Sequence, residues 1–323
     1  MKREPFIAAR KERWQRLESL LEALRSGRKD TQALEALPEL PQLYRQVCQD
    51  LALARRRMYG RELVERLNLM ALRGREQLYR PQSSYLAQVG QFLGVDFPRL
   101  VREEWRLFWI CSALFLLPLV GVAVMANTRP DLLYAVMDPE SIEQFEAMYD
   151  PSGRLGEGRG AAANVKMFAF YIRNNVGIDF KIFASGLVFG IGSILSLIYN
   201  GVHFGAVAGH FLAIGYEDQL FPFVAGHSSW ELVAMVIAAV AGMRLGSLLV
   251  APGRRSRSRA LVEDAPRCLQ LLIGAAAMTA LAAFIEGFWS AQPLPASIKY
   301  AVGALMWLLM IVYLWLGGRR RAA

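Results

Sequence analysis

The stretch from Asn174 to Glu231 limits most strongly what this chain can fold into. It is largely apolar, yet it contains all three histidines of the chain, nine glycines and three asparagines. An apolar stretch of this length is typical of a segment in a lipid bilayer, where polar groups are costly unless they face protein or water. We therefore expect this stretch to hold the membrane core and the functional residues.

The composition and charge of the chain indicate a membrane protein with a water-soluble part. Hydrophobic residues make up 54% of its 323 residues, which is high for a soluble protein. Residues 1–106 carry 21 Lys+Arg against 14 Asp+Glu, and two short basic clusters follow, Arg254 to Arg259 and Arg319 to Arg321. Because these charges bracket apolar segments and no nucleic-acid-binding motif is present, we expect no nucleic acid as a partner.

Neither the cysteines nor the short motifs predict an active site. Cys48, Cys111 and Cys268 lack metal-ligand spacing, so we expect small packing residues. The glycine spacing in ASGLVFGIG lacks the strand and the Lys-Ser/Thr pair of a phosphate-binding loop, and neither a nucleophile elbow nor an HExxH helix occurs. We expect no catalytic residues, no cofactor and no enzyme activity. We also expect no cleavable signal, since residues 1–106 lack a suitable apolar run.

Residues 1–106 are predicted to form a cytoplasmic helical domain. The apolar residues from Pro5 to Leu24 recur mostly at spacings of three and four, which is the pattern of an amphipathic helix. A second helical pattern runs from Leu43 to Tyr79, with Gly60 and Gly74 as its weak points. Together these patterns predict a small antiparallel bundle.

The first predicted transmembrane helix is residues 107–126, Leu107 to Ala126. These twenty residues carry no charge and would form ~30 Å of helix. Residues 127–160 carry seven acids and three arginines, so we expect them on the extracytoplasmic side. Ala161 to Asp179 is predicted to be an amphipathic helix lying in the membrane interface. Residues 127–179 are thus an acidic segment followed by an interfacial helix.

The basic loop after Val250 sets the expected topology of the transmembrane core, residues 180–323. Short basic loops are cytoplasmic, so the preceding span must run inward and residues 180–216 must cross the membrane an even number of times. We place a break at Asn200-Gly201, a turn-type dipeptide. Two full crossings, which we favour, and a re-entrant pair of half-helices both satisfy this constraint.

Two further spans complete the predicted core. They are Cys268 to Phe288 and Ile298 to Leu316, joined by a short loop. The fold class that follows is an all-α polytopic membrane protein of about six transmembrane helices, with a glycine-rich core and a helical cytoplasmic domain. Both termini are expected to be cytoplasmic.

Three glycine series have the small-xxx-small spacing that lets helix backbones approach closely. We expect packing between helices of one chain, with contact between copies in a homo-oligomer as the alternative. The residues are Gly186 and Gly190, then Gly201, Gly205 and Gly209, then Gly242 and Gly246.

Nine polar residues of the expected core are the candidate functional residues. An unpaired charge in a bilayer costs several kcal/mol, so such residues must have a purpose there. They either line an ion path or pair with one another and fix the helix register. We favour register fixing, in which Glu231 and Glu286 pair with Arg244, His227 or asparagine side chains. Arg244 is the first partner that we expect for either glutamate. A proton or ion relay is the alternative. The nine are Asn174, Asn175, Asn200, His203, His210, His227, Glu231, Arg244 and Glu286.

A metal site built from the three histidines is not expected. His203 and His210 are seven residues apart, hence on one helix face but ~10 Å apart along its axis, which is too far to share one ion directly.

In six stretches that include most of these glycines and polar residues, the chain resembles the stage II sporulation protein M family of integral membrane proteins. Asn-Gly, His-x-x-x-Glu-Leu and Glu-Gly-Phe occur in this order on successive spans, and the resemblance covers most of the chain. Gly226 and Ser228 flank His227 where the family pattern has Pro and Gly. The stretches that carry the resemblance are LPQLYRQVCQDLALARR, FPRLVREEWRLF, FYIRNNVGIDFKIFASGLVFGIGS, LIYNGVHFGAVAGH, GHSSWELVAMVIAAVAGMRLG and AAFIEGFWS.

The resemblance implies a multi-span protein of the bacterial inner membrane with no established chemistry. In spore formers the family member is similar to a scaffold that holds peptidoglycan-remodelling proteins. Relatives with a long cytoplasmic N-terminal region tend to be encoded beside RDD-type membrane proteins and a MoxR-type ATPase system. We expect a non-enzymatic scaffold or assembly component, as an oligomer in the lipid bilayer, with a transporter or channel subunit as the alternative.

Overall fold

The computed structural model describes four segments of the chain, residues 3–25, 37–78, 85–149 and 160–319. These residues form helices and connecting turns, with no strand among them, which confirms the expected all-α class. The chain divides into two compact units, residues 1–87 and 88–323. The predicted domain boundary lay further on, at residue 106. Residues 150–159 of the predicted acidic segment, and Arg320 and Arg321, lie outside the described residues.

The described part of the N-terminal unit is a small helical bundle. Its core contains Phe6, Trp14 and Leu67, each with no exposed surface. The Asp50 carboxylate is buried among them and accepts hydrogen bonds from Arg10 Nε at 2.7 Å and Trp14 Nε1 at 3.0 Å. The helices are α1 (Arg3–Ala8), α2 (Lys11–Arg25), α3 (Leu40–Arg56) and α4 (Arg61–Leu78).

The second helical pattern of this unit is two helices and not one. The break falls at Gly60, which has φ +101°, a left-handed conformation that favours glycine. Gly74, the other predicted weak point, lies inside α4 and packs against the ring of Tyr44, where it makes room for the ring.

The second unit is built of longer helices. Five are long and apolar enough to cross a membrane, namely α7, α11, α13, α14 with the turn that follows it, and α15. The helices in order are α5 (Tyr85–Gln91), α6 (Phe97–Glu103), α7 (Trp105–Thr128), α8 (Pro139–Tyr149), α9 (Ala161–Tyr171), α10 (Gly177–Ser185), α11 (Ile191–Ala213), α12 (Glu217–Ala225), α13 (Ser228–Val250), α14 (Arg257–Ile285) and α15 (Ala296–Leu316).

Helices α9 and α10 form one continuous helix through the π-helical turn Ile172–Val176. The predicted interfacial helix ended at Asp179, whereas the helix in the structure continues to Ser185. Tyr171, Asn175 and Asp179 recur at a spacing of four and are all buried, because this face packs against α13 and α14. The helix is therefore part of the packed core.

The predicted break at Asn200-Gly201 is wrong. Helix α11 runs without interruption through both residues. The chain instead reverses between Gly186 and Gly190, where Phe189 and Gly190 have φ +52° and +81°. The two limbs are therefore Ala161–Ser185 and Ile191–Ala213.

Helices α7 and α11 pack in parallel through three glycines of α11. A Cβ on any of them would press on the backbone of α7, so only glycine permits this approach. The nearest α7 groups are the backbone carbonyls of Phe115 for Gly201, Leu119 for Gly205 and Ala123 for Gly209. Residue numbers increase together along both helices, so the helices run parallel. The two helices must therefore begin at the same side of the unit.

Helix α13 lies at the centre of the second unit. Its residues from Val233 to Gly242 are all buried, whereas α7 and α15 expose many large apolar side chains. Helices α10, α11, α14 and α15 all pack against it. A helix apolar on all sides is typical of the interior of a helical membrane protein.

Candidate functional site

The candidate site is a cluster of buried polar side chains from three neighbouring helices. His227 and Glu231 lie at the start of α13, Glu286 and Ser290 in the π-helical turn after α14, and Asn175 in the π-helical turn before α10. His227, Asn175 and Glu286 expose 8% or less of their surface. The sequence predicted four of these five residues, and the structure brings those four together.

The imidazole of His227 is held between two partners. Its Nδ1 lies 3.0 Å from Ser290 Oγ, within hydrogen-bond distance. Its Nε2 faces the Glu231 carboxylate at 3.8 Å, which is too long for a hydrogen bond. His227 and Glu231 are four residues apart, so the first turn of α13 presents both on one face.

The Glu286 carboxylate faces the same point from α14. Asn175 Nδ2 donates to Glu286 Oε2 at 3.2 Å, and Asn174 Nδ2 donates to Asn175 Oδ1 at 2.9 Å. One ligand-type atom from each of His227, Glu231 and Glu286 lies within 4.8 Å of the others. Two carboxyl groups and an imidazole thus converge across α13 and α14.

Asp179 adds a third buried carboxyl group to the cluster. It exposes 1% of its surface and accepts a hydrogen bond from the Thr279 hydroxyl. It also lies close enough to Glu231 for the two carboxyl groups to interact electrostatically. Asp179 was not predicted from the sequence, although its spacing of four from Asn175 would have placed both on one helix face.

Two π-helical turns shape the cluster. Ile172–Val176 and Glu286–Ser290 interrupt the regular hydrogen bonding of their helices, and such turns are frequent at functional sites. The hydrogen bond from Asn175 to Glu286 joins the two turns directly. The side chains of the cluster are thus presented where both helices depart from regular α geometry.

Arg244 does not pair with Glu231 or Glu286, so that expectation is wrong. Its Nε lies 3.0 Å from Glu104 Oε1, and Arg267 Nη2 lies 3.6 Å from the same oxygen. Glu104 is only 7% exposed. Arg244 is thirteen residues beyond Glu231 on α13, or ~20 Å along the helix, so it lies near the opposite end of the core. Glu104 was not among the residues predicted from the sequence.

The other predicted polar residues also lie away from the cluster. Asn200 donates to the carbonyl group of Ser196 on its own helix at 2.7 Å. The ring of His203 stacks on Tyr199 at a centroid distance of 6.2 Å. His210 Nε2 lies 2.7 Å from Glu146 Oε1, so this pair joins α11 to α8.

All the glycines singled out in the sequence lie at contacts within the chain. Gly186 and Gly190 approach Gly242 and Gly246, so the reversal before α11 rests on the backbone of α13. The remaining three form the contact between α7 and α11 described above. These glycines set how closely α7, α10, α11 and α13 approach one another.

The cluster offers imidazole nitrogen, carboxylate oxygen and carboxamide groups in a buried place. Such a set can hold a proton or a cation, or can pair internally and fix helix register.

Comparison with known proteins gives two family matches. No solved structure matches the chain significantly. An uncharacterised protein of Methanocaldococcus jannaschii is 27% identical over 121 residues, covering 37% of this chain and 68% of that protein. A family described as a domain of unknown function matches residues 4–80, within the N-terminal unit. The family model of stage II sporulation protein M matches residues 111–291, more than half of the chain and the whole polar cluster, and the chain therefore belongs to that family.

Proposed function

We propose that this protein is a non-enzymatic scaffold or assembly component of the bacterial inner membrane. The observation that carries the proposal is the close packing of the membrane core, in which glycines bring α7 against α11 and α10 against α13 at backbone contact. Packing of this kind resists change in shape, because small shifts would create backbone overlap. A rigid membrane body joined to a helical N-terminal unit suits the holding of partners.

The distribution of polar residues supports a scaffold over a transport subunit. A transport path needs its polar side chains to converge along one route. Here Asn200 and His203 have partners on α11 itself and His210 pairs with Glu146 of α8, whereas Glu231 and Glu286 lie in a separate buried cluster. The five residues therefore do not form one continuous series.

For the topology, we propose six crossings with both termini in the cytoplasm. Five helices qualify as spans by length and composition. Because α7 and α11 are parallel, the chain must return to its first side between them. The continuous helix Ala161–Ser185 is the described element long enough to do so, at ~37 Å. The basic clusters around the core favour a cytoplasmic position for both ends.

The partners that we propose follow from the family resemblance. They are further copies of this chain in the bilayer, an RDD-type membrane protein with a MoxR-type ATPase system, or peptidoglycan-remodelling proteins. Met58 of the N-terminal unit is 88% exposed, so it is accessible to a partner.

Two measurements on the full chain test this function. A photo-crosslinking residue at Met58 should capture a discrete protein in native membranes, whereas the same residue at Leu117, 73% exposed on apolar α7, should capture lipid. Proteoliposomes should show no more proton or sodium flux than protein-free liposomes. Flux that disappears in the variant E231Q would contradict the scaffold and favour transport.

A further inference from the structure

The polar cluster contains a donor set that the scaffold proposal does not use. One ring nitrogen of His227, a carboxylate oxygen of Glu231 and a carboxylate oxygen of Glu286 lie within 4.8 Å of one another. Ligands of one Zn²⁺ lie ~2.0–2.2 Å from the ion, so two of them are at most ~4.4 Å apart. Small side-chain rotations would therefore bring all three onto one ion.

The orientation of His227 is a second and separate observation. Its side chain is 4% exposed, and among the described residues Nε2 has no hydrogen-bond partner although it points at Glu231. Nδ1 is held by Ser290 Oγ at 3.0 Å. A metal-ligating histidine commonly binds the ion with one nitrogen and hydrogen-bonds through the other, which fixes its tautomer and ring direction.

The charges around the set also suit a cation. Glu231 has a side chain only 13% exposed, and among the described residues no lysine or arginine lies within ion-pair distance of it. Asp179 is a further carboxyl group beside it. Lys299 lies nearby but donates to the backbone carbonyl group of Ser290 at 2.8 Å. Buried carboxylates are stable when paired or when they coordinate a metal ion.

We propose that His227, Glu231 and Glu286 bind one divalent transition-metal ion, of the class of Zn²⁺ or Mn²⁺. Imidazole and carboxylate together suit these ions, and two carboxylates balance the charge of the ion in a buried site. Ser290 and Asn175 hold two of the ligands in place from outside the ion's shell.

The consequence is a link between two central helices of the core. Glu231 lies on α13 and Glu286 follows α14, so one ion would join their ends on the side opposite Arg244. At the other end, Glu104 forms ion pairs with both Arg244 of α13 and Arg267 of α14, and so links the same two helices. The pair α13–α14 would thus be fixed at both ends, by the ion and by ion pairs.

The test uses the full-length protein in detergent, purified with a tag that contains no histidine. The protein is stripped with EDTA, loaded with Zn²⁺ and measured for bound zinc by mass spectrometry. We expect one zinc per chain and a melting temperature that rises with zinc concentration. Co²⁺ in place of zinc should give visible d–d absorption without thiolate charge transfer, because the site contains no cysteine.

Variants of the ligands and of matched positions complete the test. H227N, E231Q and E286Q should each weaken zinc binding about 100-fold or more. H203N and E62Q change the same residue types away from the site and should keep wild-type affinity. Only variants that are monodisperse are compared. The EDTA-stripped wild-type protein is a metal-free control that carries no substitution.

Two outcomes would overturn the site. Wild-type protein that binds no zinc or manganese above the level of H227N would show that the cluster is paired internally. Equal binding by wild type and by E231Q and E286Q would place any metal elsewhere. Neither outcome touches the scaffold proposal, which is judged by crosslinking and flux.

Discussion

The carboxamide of Asn175 donates a hydrogen bond to the carboxylate of Glu286 across 3.2 Å, between two π-helical turns that are 111 residues apart in the chain. Both residues are buried. This contact ties the helix Ala161–Ser185 to the end of α14 at the polar cluster. It connects the least apolar long helix of the second unit to one of its clear spans.

Substitution of Asn175 should destabilise the protein much more than substitution of its neighbour. N175A removes a donor to a buried carboxylate, and the loss of such a hydrogen bond costs about 1–3 kcal/mol. Asn174 is exposed and bonds only to Asn175, so N174A should cost less than about 0.5 kcal/mol. Thermal unfolding in detergent measures both. Equal effects of the two variants would mean that the contact with Glu286 adds no stability.

The parallel contact of α7 and α11 gives a second prediction with a built-in control. A Cβ at Gly205 would overlap the backbone of α7 at Leu119, so G205A should force the helices apart and cost about 1–3 kcal/mol. Gly121 lies on α7 with no heavy atom within 4 Å of its would-be Cβ, so G121A should be neutral or slightly stabilising. The melting temperatures of the two variants are the measurement. A neutral G205A would show that the helices are not packed this closely.

Arg244 and Glu104 should show measurable coupling in a double-mutant cycle. Glu104 is buried, and removal of Arg244 leaves it with Arg267 alone at 3.6 Å. Because Arg244 is half exposed, solvent weakens the pair, and we expect a coupling energy of about 1 kcal/mol. The variants are R244A, E104Q and the two together, followed by denaturant unfolding. Additive effects would indicate that the ion pair does not hold α13.

The turn between Gly186 and Gly190 should be accessible from the cytoplasm only. Val188 is 60% exposed in this turn, and Tyr134 is 64% exposed in the segment after α7. In a chain with its native cysteines replaced by serine, a membrane-impermeant maleimide should label Y134C in intact cells and V188C only in inside-out vesicles. Labelling of V188C from the outside would exclude six crossings in this arrangement.

The spans could be predicted from the sequence because they depend on length and apolar composition alone. The first predicted span lies within α7, and the last one lies within α15. The helix Ala161–Ser185 was harder, since its polar residues look exposed until α13 and α14 cover them. Its burial depends on contacts with residues about a hundred positions away, such as Asp179 with Thr279.

The error at Asn200-Gly201 has a specific physical reason. Glycine is favoured in turns, but in a membrane protein it is equally favoured where two helices touch, and Gly201 serves the second purpose against Phe115. The dipeptide itself does not distinguish the two uses. The spacing of four that continues through Gly205 and Gly209 favours helix contact, and it was visible in the sequence.

The expected partner of Arg244 was wrong for a reason of distance. A helix rises ~1.5 Å per residue, so thirteen residues separate Arg244 from Glu231 by more than any side chain can reach. Its partner Glu104 lies just before α7, where the helices meet at the level of the first span. Helix register between α7 and α13 decides this pair, and register is set by packing that local sequence does not reveal.

The helix α8 should lose its first turn at low pH, because Asp138 caps it. Ser141 donates to the Asp138 carboxylate through its backbone N–H at 2.8 Å and its hydroxyl at 2.7 Å, and these hydrogen bonds lower the pKa of Asp138 from its usual range. A lowered pKa means that the cap stabilises the helix fully above the unfolded value near 3.8 and is lost as pH falls through the folded value. Hydrogen exchange of α8, corrected for the intrinsic rate at each pH, should show less protection in D138A than in wild type at pH 6. The two should converge once the pH lies well below the folded pKa, whereas D138N, whose carboxamide oxygen can still accept the bond, should keep part of the protection throughout. Because Glu146 of α8 meets His210, loss of the cap should also loosen that contact. A D138A protein with wild-type protection at pH 6 would show that α8 is held by its contact with α11 and not by its cap.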